Sequence, residues 1–248
     1  MFEFFPAREV VLEINGFTVR WYGLLWAISF WLVWYLIPKL QKYRNLSLSR
    51  DEWTRIIAYG AIGALLGGRL GYVLLYEPTY FFQYPLEAFA IWQGGMASHG
   101  GVVGVVIGVW FATRLNTTMK NLLQLTDVVV VPVALALALG RLGNWINQEL
   151  FVRNFALLAV AKDLCIAGLC YYVLRKTDEK RRGIVTAIFL ISYSLLRFCI
   201  EFLRDDPWPE VWGLTRGQVY TLPLLALGVW LLVWLQKQPQ LSKKPTVG

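Results

Sequence analysis

The stretch Leu125-Thr126-Asp127-Val128-Val129-Val130-Val131-Pro132-Val133-Ala134-Leu135-Ala136-Leu137-Ala138-Leu139-Gly140-Arg141-Leu142-Gly143 decides the fold. From Val128 to Leu139 it holds no polar side chain, and its length approaches the roughly 20 residues a helix needs to cross a bilayer. It is too long for a strand, and one arginine lies just inside its end. Six further apolar runs flank it: Val19–Leu40, Trp53–Tyr76, Gly95–Leu115, Phe155–Leu174, Gly183–Phe202 and Gln218–Gln236. The expected fold is all-α, a polytopic integral membrane protein of about seven transmembrane helices, with residues 1–248 as a single transmembrane domain.

Composition agrees with this. Of the 248 residues 57% are hydrophobic and 16% charged, against about 25% charged in soluble domains. Mean hydropathy is +0.49. The first residues carry Glu3, Glu9 and Glu13 and lack the basic-then-apolar order of a cleaved signal peptide. The net charge of +8 does not indicate nucleic acid, because the basic residues sit in short loops beside apolar runs. Lys39, Lys42, Arg44, Arg50 and Arg55 follow or open one connection, and Arg114 and Lys120 bound another. Arg175, Lys176, Lys180, Arg181 and Arg182 form a third group, and Lys237, Lys243 and Lys244 lie in the tail. Glu77 to Gly94 contains no Lys or Arg. By the positive-inside bias the N-terminus lies outside and the C-terminus in the cytoplasm. Cys165, Cys170 and Cys199 read as small apolar packing residues, with no metal-ligand spacing. No metal or cofactor is expected.

Four runs carry groups that are costly in lipid: Arg69, Arg141, Arg197 and the sole histidine, His99. Ionisable groups in membrane segments face protein and mark function. At 1.5 Å per residue the three arginines fall roughly 20–25 Å from the cytoplasmic starts of their runs, in the outer third of the core. His99 enters the same layer from the outer end of its run. Gly68-Arg69-Leu70-Gly71 and Gly140-Arg141-Leu142-Gly143 share a local pattern. Close helix packing and close approach to a ligand both explain the glycines. Asn144, Asn147 and Glu149 follow Arg141, while Tyr193, Arg197 and Glu201 share a helical face with Arg204 one turn on. Lys162-Asp163 interrupts the fifth run; either the two pair, or that helix begins later.

Arginine forks match phosphate oxygens and stay charged, so an anionic phospholipid headgroup is the expected ligand. His99 could act as a general base. No Gly-x-Ser-x-Gly elbow, zinc motif or phosphate-loop lysine is present, so a second substrate brings the nucleophile.

The chain resembles the prolipoprotein diacylglyceryl transferases. The resemblance rests on Arg20-Trp21-Tyr22-Gly23, Gly68-Arg69-Leu70-Gly71-Tyr72, Gly94 to Gly101, Gly140 to Glu149, Tyr193 to Arg204 and Gly217-Gln218, in that order. It implies transfer of a diacylglyceryl group from phosphatidylglycerol to the lipobox cysteine of preprolipoprotein signal peptides, at the bacterial cytoplasmic (inner) membrane. A thioether forms and glycerol phosphate leaves. The implied catalytic residues are His99, Arg141 and Arg197. Tyr22, Arg69, Asn144, Asn147, Glu149, Tyr193, Glu201, Arg204 and Gln218 are implied in substrate binding. The family's periplasmic insertion after the fourth helix is largely missing here, and Lys162-Asp163-Leu164-Cys165 stands where a His-containing motif is expected. One competing expectation is a shortened, non-catalytic lipid-binding relative. Another is an anion transporter, which would need polar groups in the inner halves of the helices; those halves hold almost none.

Overall fold

In a computed structural model, which describes residues 10–14, 17–91, 95–114, 122–147, 153–203 and 213–238, the apolar runs are helices. They are α1 (Trp21–Leu40), α2 (Arg50–Leu75), α4 (Ser98–Arg114), α5 (Leu122–Ile146), α6 (Arg153–Lys176), α7 (Ile184–Glu201) and α8 (Arg216–Gln236), with a short α3 (Pro78–Gln83) after α2. Among the described residues six helices are long and apolar enough to span a bilayer. The exception among the expected seven is α4, whose 17 residues reach about 25 Å. The chain is a multi-pass, predominantly helical membrane protein.

One element departs from the all-α expectation. Strands β1 (Val10–Ile14) and β2 (Phe17–Arg20) pair antiparallel, with Leu12 opposite Val19 and Glu13 opposite Thr18. Helix α1 therefore starts at Trp21, directly after a strand.

The chain forms two compact units, one of Met1–Ser47 with Leu123–Gly248 and the other of Leu48–Leu122. The smaller unit opens on a capping box: Ser49 Oγ accepts from the Glu52 N–H at 3.2 Å, and Glu52 accepts from the Ser49 N–H at 2.7 Å. Two rows of glycine at helical i, i+4 spacing then set its packing: Gly63, Gly67 and Gly71 on α2 and Gly100, Gly104 and Gly108 on α4. A Cβ on Gly71 would lie 2.9 Å from the Gly100 Cα, and one on Gly67 would lie 2.8 Å from the Gly104 Cα. The two backbones touch, as small residues permit in membrane helices. Packing thus accounts for Gly71, one glycine of the pattern around Arg69.

In the larger unit Ala187, Leu231 and Leu235 form an apolar core with Leu123 and Leu232, joining α5, α7 and α8. A second fastening is polar. Arg44 Nε donates to Asp127 Oδ2 at 2.9 Å, and neither side chain is exposed. The other Arg44 nitrogens donate to the carbonyls of Tyr43 and Thr177 and to Thr177 Oγ1, at 2.9–3.1 Å. Asp127 in turn accepts from the N–H groups of Gly183 and Thr186 and from Thr186 Oγ1, at 2.8–2.9 Å. Every strong donor and acceptor in this knot has a partner, the condition under which a buried ion pair is tolerated. Arg44 is therefore a structural cation, although in the sequence it reads as one more charge of a basic loop.

Candidate functional site

In the smaller unit Arg69 is buried near the end of α2. Its Nε donates to the Ala88 carbonyl at 2.8 Å, one terminal nitrogen to the Glu87 carbonyl at 2.7 Å and the other to the Gly95 carbonyl at 3.2 Å. The guanidinium also lies 5.2 Å from the Phe81 ring centroid. Gly95 makes this possible: its φ is +74°, and a Cβ there would lie 2.9 Å from an Arg69 terminal nitrogen. The Ala97 N–H then donates to the Gly68 carbonyl at 2.9 Å. Arg69 thus shapes the segment leading into α4, the helix whose second residue is His99. The His99 side chain lies outside the described residues, as do Glu149 and Arg204.

The larger unit gathers most of the remaining expected residues. Arg141 lies on α5 about 28 Å along the helix, and Arg197 on α7 about 20 Å along. Helix α5 starts three residues before its apolar run, which puts Arg141 deeper along the axis than expected. Arg197 forms an i, i+4 ion pair with Glu201, whose carboxylate is unexposed. The shared helical face of Arg197 and Glu201 thus brings the two charges together. Helix α8 comes against it at Gly217, where a Cβ would lie 2.9 Å from the Glu201 carboxyl carbon and 3.1 Å from an Arg197 terminal nitrogen. Only a residue without a side chain admits that approach. Gln218 follows and is buried. Its Oε1 accepts from the Thr215 N–H at 3.0 Å, Thr215 Oγ1 accepts from the Gln218 N–H at 3.2 Å, and its Nε2 points at the Phe198 carbonyl at 3.4 Å. Gln218 thus holds the start of α8 against α7.

Tyr22 on α1 packs where a Cβ on Gly143 would lie 2.9 Å from its ring, so the second glycine of the Arg141 pattern also serves close packing. Asn144 is half-buried on the last turns of α5, and Asn147 follows with its N–H donating to the Gly143 carbonyl at 2.9 Å. Tyr193 stacks on Phe189 with ring centroids 5.7 Å apart.

Two residues that the sequence reading left outside the site belong to this cluster. Helix α6 begins at Arg153 and continues through Lys162 and Asp163, so of the two alternatives pairing holds. Lys162 Nζ forms an ion pair with Asp163 Oδ1, with both side chains almost wholly buried. Lys162 Nζ also lies 4.1 Å from the Tyr193 ring centroid. The Lys162–Tyr193 contact thus joins α6 to α7, and the charges of Arg141 on α5 and Arg197 on α7 lie within electrostatic range of Lys162 and Asp163. Arg197 also lies 5.8 Å over the Phe155 ring of α6. The available signal was the pair itself, two opposite charges inside an apolar run. Such a locus can hold an anion, orient it by planar arginine forks and shield it from water. Among the described residues no group of three or more His, Cys, Asp or Glu could hold a metal ion.

Residues 9–234 match the family described as prolipoprotein diacylglyceryl transferase. The phosphatidylglycerol–prolipoprotein diacylglyceryl transferase of Paracidovorax citrulli is 34% identical over 266 residues, covering 93% of this chain and 96% of that protein. Its counterpart in Legionella pneumophila is 34% identical over 259 residues, covering 93% and 97%. That of Porphyromonas gingivalis is 30% identical over 270 residues, covering 94% and 95%.

Proposed function

The chain belongs to the prolipoprotein diacylglyceryl transferase family, and we propose that it transfers the diacylglyceryl group of phosphatidylglycerol to the lipobox cysteine of preprolipoproteins. The observation that carries this reading is the half-buried guanidinium of Arg197 in a membrane protein, paired with the unexposed Glu201 carboxylate where α8 approaches at Gly217. In the reaction the thiol proton passes to a base, and the thiolate, the reactive form, attacks the glyceryl carbon next to the phosphate. A sulfur–carbon bond forms as the carbon–oxygen bond breaks, and the electron pair leaves with glycerol phosphate. Negative charge moves onto the departing phosphate, where preorganised arginines stabilise it.

His99 is the proposed base. Arg141 and Arg197 bind the phosphate, with Tyr22, Asn144, Asn147, Glu149, Tyr193 and Arg204 around the headgroup. Glu201 fixes Arg197. Arg69 and Gln218 act through the segments they hold in place. We place the enzyme in the bacterial cytoplasmic (inner) membrane with about seven spans and the N-terminus outside, as a single transferase domain with little periplasmic insertion. Cysteine labelling at Gln83 from outside and at Lys180 from the cytoplasm tests the orientation, and reversed accessibility contradicts it. The activity itself is tested by incubating the purified protein with phosphatidylglycerol and a lipobox peptide. A thioether-linked diacylglyceryl peptide supports the reading, and lipid binding without transfer supports a non-catalytic relative.

A further inference from the structure

Lys162 and Asp163 take no part in the transfer chemistry above, yet they are the most deeply placed charges of α6. Their side chains are 4% and 2% exposed, on a helix otherwise apolar on both sides of them. Stability alone does not explain the pair, because well-packed apolar residues commonly replace a buried ion pair without loss. Intramembrane ionisable groups mark ligand or ion sites by default.

Three observations say what the ligand would be. First, Asp163 uses one carboxylate oxygen on Lys162, while its Oδ2 is buried with no hydrogen-bond partner among the described residues. A carboxylate oxygen left so is costly unless something donates to it. Second, two buried donors near the same locus are in the same condition: Trp145 Nε1, one turn beyond Arg141, and Ser194 Oγ, one turn before Arg197. An acceptor and two donors together complement a ligand carrying both hydroxyls and phosphate oxygens. Third, the described charges of the locus are Arg141, Lys162 and Arg197 against Asp163 and Glu201. One positive charge remains, which matches the single negative charge of a phosphodiester.

We propose that the Lys162–Asp163 pair reads the glycerol headgroup, with Lys162 joining the arginines at the phosphate and Asp163 Oδ2 accepting a hydrogen bond from a headgroup hydroxyl. This deepens the phosphatidylglycerol reading and rests on it. The pair then acts as a specificity determinant. A lipid of equal charge whose headgroup lacks hydroxyls leaves Asp163 Oδ2 buried and unmatched, and sites built to bond a hydroxyl reject such analogues strongly.

The test compares phosphatidylglycerol with phosphatidyl-1-propanol of the same acyl chains, which keeps the phosphodiester and removes both headgroup hydroxyls. Binding of each to the detergent-solubilised full chain is read by native mass spectrometry. The parent protein should favour phosphatidylglycerol by about tenfold, the scale of one charge-assisted hydrogen bond. In the double variant Lys162→Met/Asp163→Leu, which removes both charges together, the preference should fall to within about twofold. Asp163→Asn, nearly unchanged in volume, should lower it partially and keeps the test open if the double variant does not fold. A parent protein that binds both lipids equally overturns the inference, as does a folded variant that keeps the parent preference. Transfer to a lipobox peptide is measured in parallel. Selective binding without transfer contradicts the proposed activity and leaves this inference standing; transfer with unchanged selectivity in the variants overturns this inference alone.

Discussion

Arg44 and Asp127 are 83 positions apart in the chain and meet as an unexposed ion pair, Nε to Oδ2 at 2.9 Å. Through Thr177, Gly183 and Thr186 that pair reaches α6 and α7 as well as α5. Removing one partner strands the other, at a cost of about 3–5 kcal/mol. Arg44→Met and Asp127→Leu should each lower the thermal midpoint in detergent, read by tryptophan fluorescence. The double variant Arg44→Met/Asp127→Leu should be less destabilised than the two single losses summed. Strict additivity would mean that the pair is not energetically coupled.

The glycine rows of α2 and α4 make a different forecast. Gly104→Val puts a branched side chain where even a Cβ would meet the Gly63 carbonyl and lie 3.0 Å from the Gly67 Cα. The helices must separate, with a loss of about 1–3 kcal/mol or more. A Cβ on Gly168 of α6 meets nothing within 4 Å, so Gly168→Ala should be neutral or gain up to about 1 kcal/mol from helix propensity. Equal thermal midpoints for Gly104→Val and the parent would contradict the contact.

What could be read from the sequence follows from how each feature is encoded. Helix α7 (Ile184–Glu201) and α8 (Arg216–Gln236) lie within two residues of their apolar runs, because a bilayer demands a continuous apolar stretch and charge marks its ends. The hairpin lies outside the all-α expectation, although Asn15-Gly16 between two apolar-rich segments is a strong hairpin signal. Arg44 and Arg69 could not be sorted from the sequence, since a buried cation satisfied by distant carbonyls looks like any loop or span arginine. Lys162 and Asp163 were visible, but their role depends on Tyr193 and the arginines of neighbouring helices.

If Arg141 binds the phosphate by its planar fork, charge alone is not enough. Arg141→Ala should lower kcat/KM by roughly 10²–10³, the usual cost of losing one preorganised stabilising group. Arg141→Lys keeps the charge and loses the bidentate geometry, so it should fail almost as badly. A lysine variant within threefold of the parent would mean that Arg141 contributes only field.

The role of His99 as base predicts a pH signature. His99→Gln should still bind phosphatidylglycerol and lose roughly 10²–10⁴ in turnover near neutral pH. A free thiol ionises with a pKa of about 8.5, so its thiolate fraction rises about sixteenfold between pH 7 and pH 8.5. Turnover of the variant should rise with it. Lost lipid binding, or near-parental rates at pH 7, would instead make His99 a headgroup contact.

The central claim is that one reaction joins lipid cleavage to thioether formation. Its most direct measurement is the molar ratio of glycerol phosphate released to thioether formed when the purified protein meets phosphatidylglycerol and a lipobox peptide. Coupled transfer gives a ratio of one, with neither product formed from a peptide whose lipobox cysteine is replaced by serine. Glycerol phosphate released in the absence of a thiol would show a phospholipase C-type hydrolase, and no release under any condition would show a protein without this chemistry; either result contradicts coupled transfer.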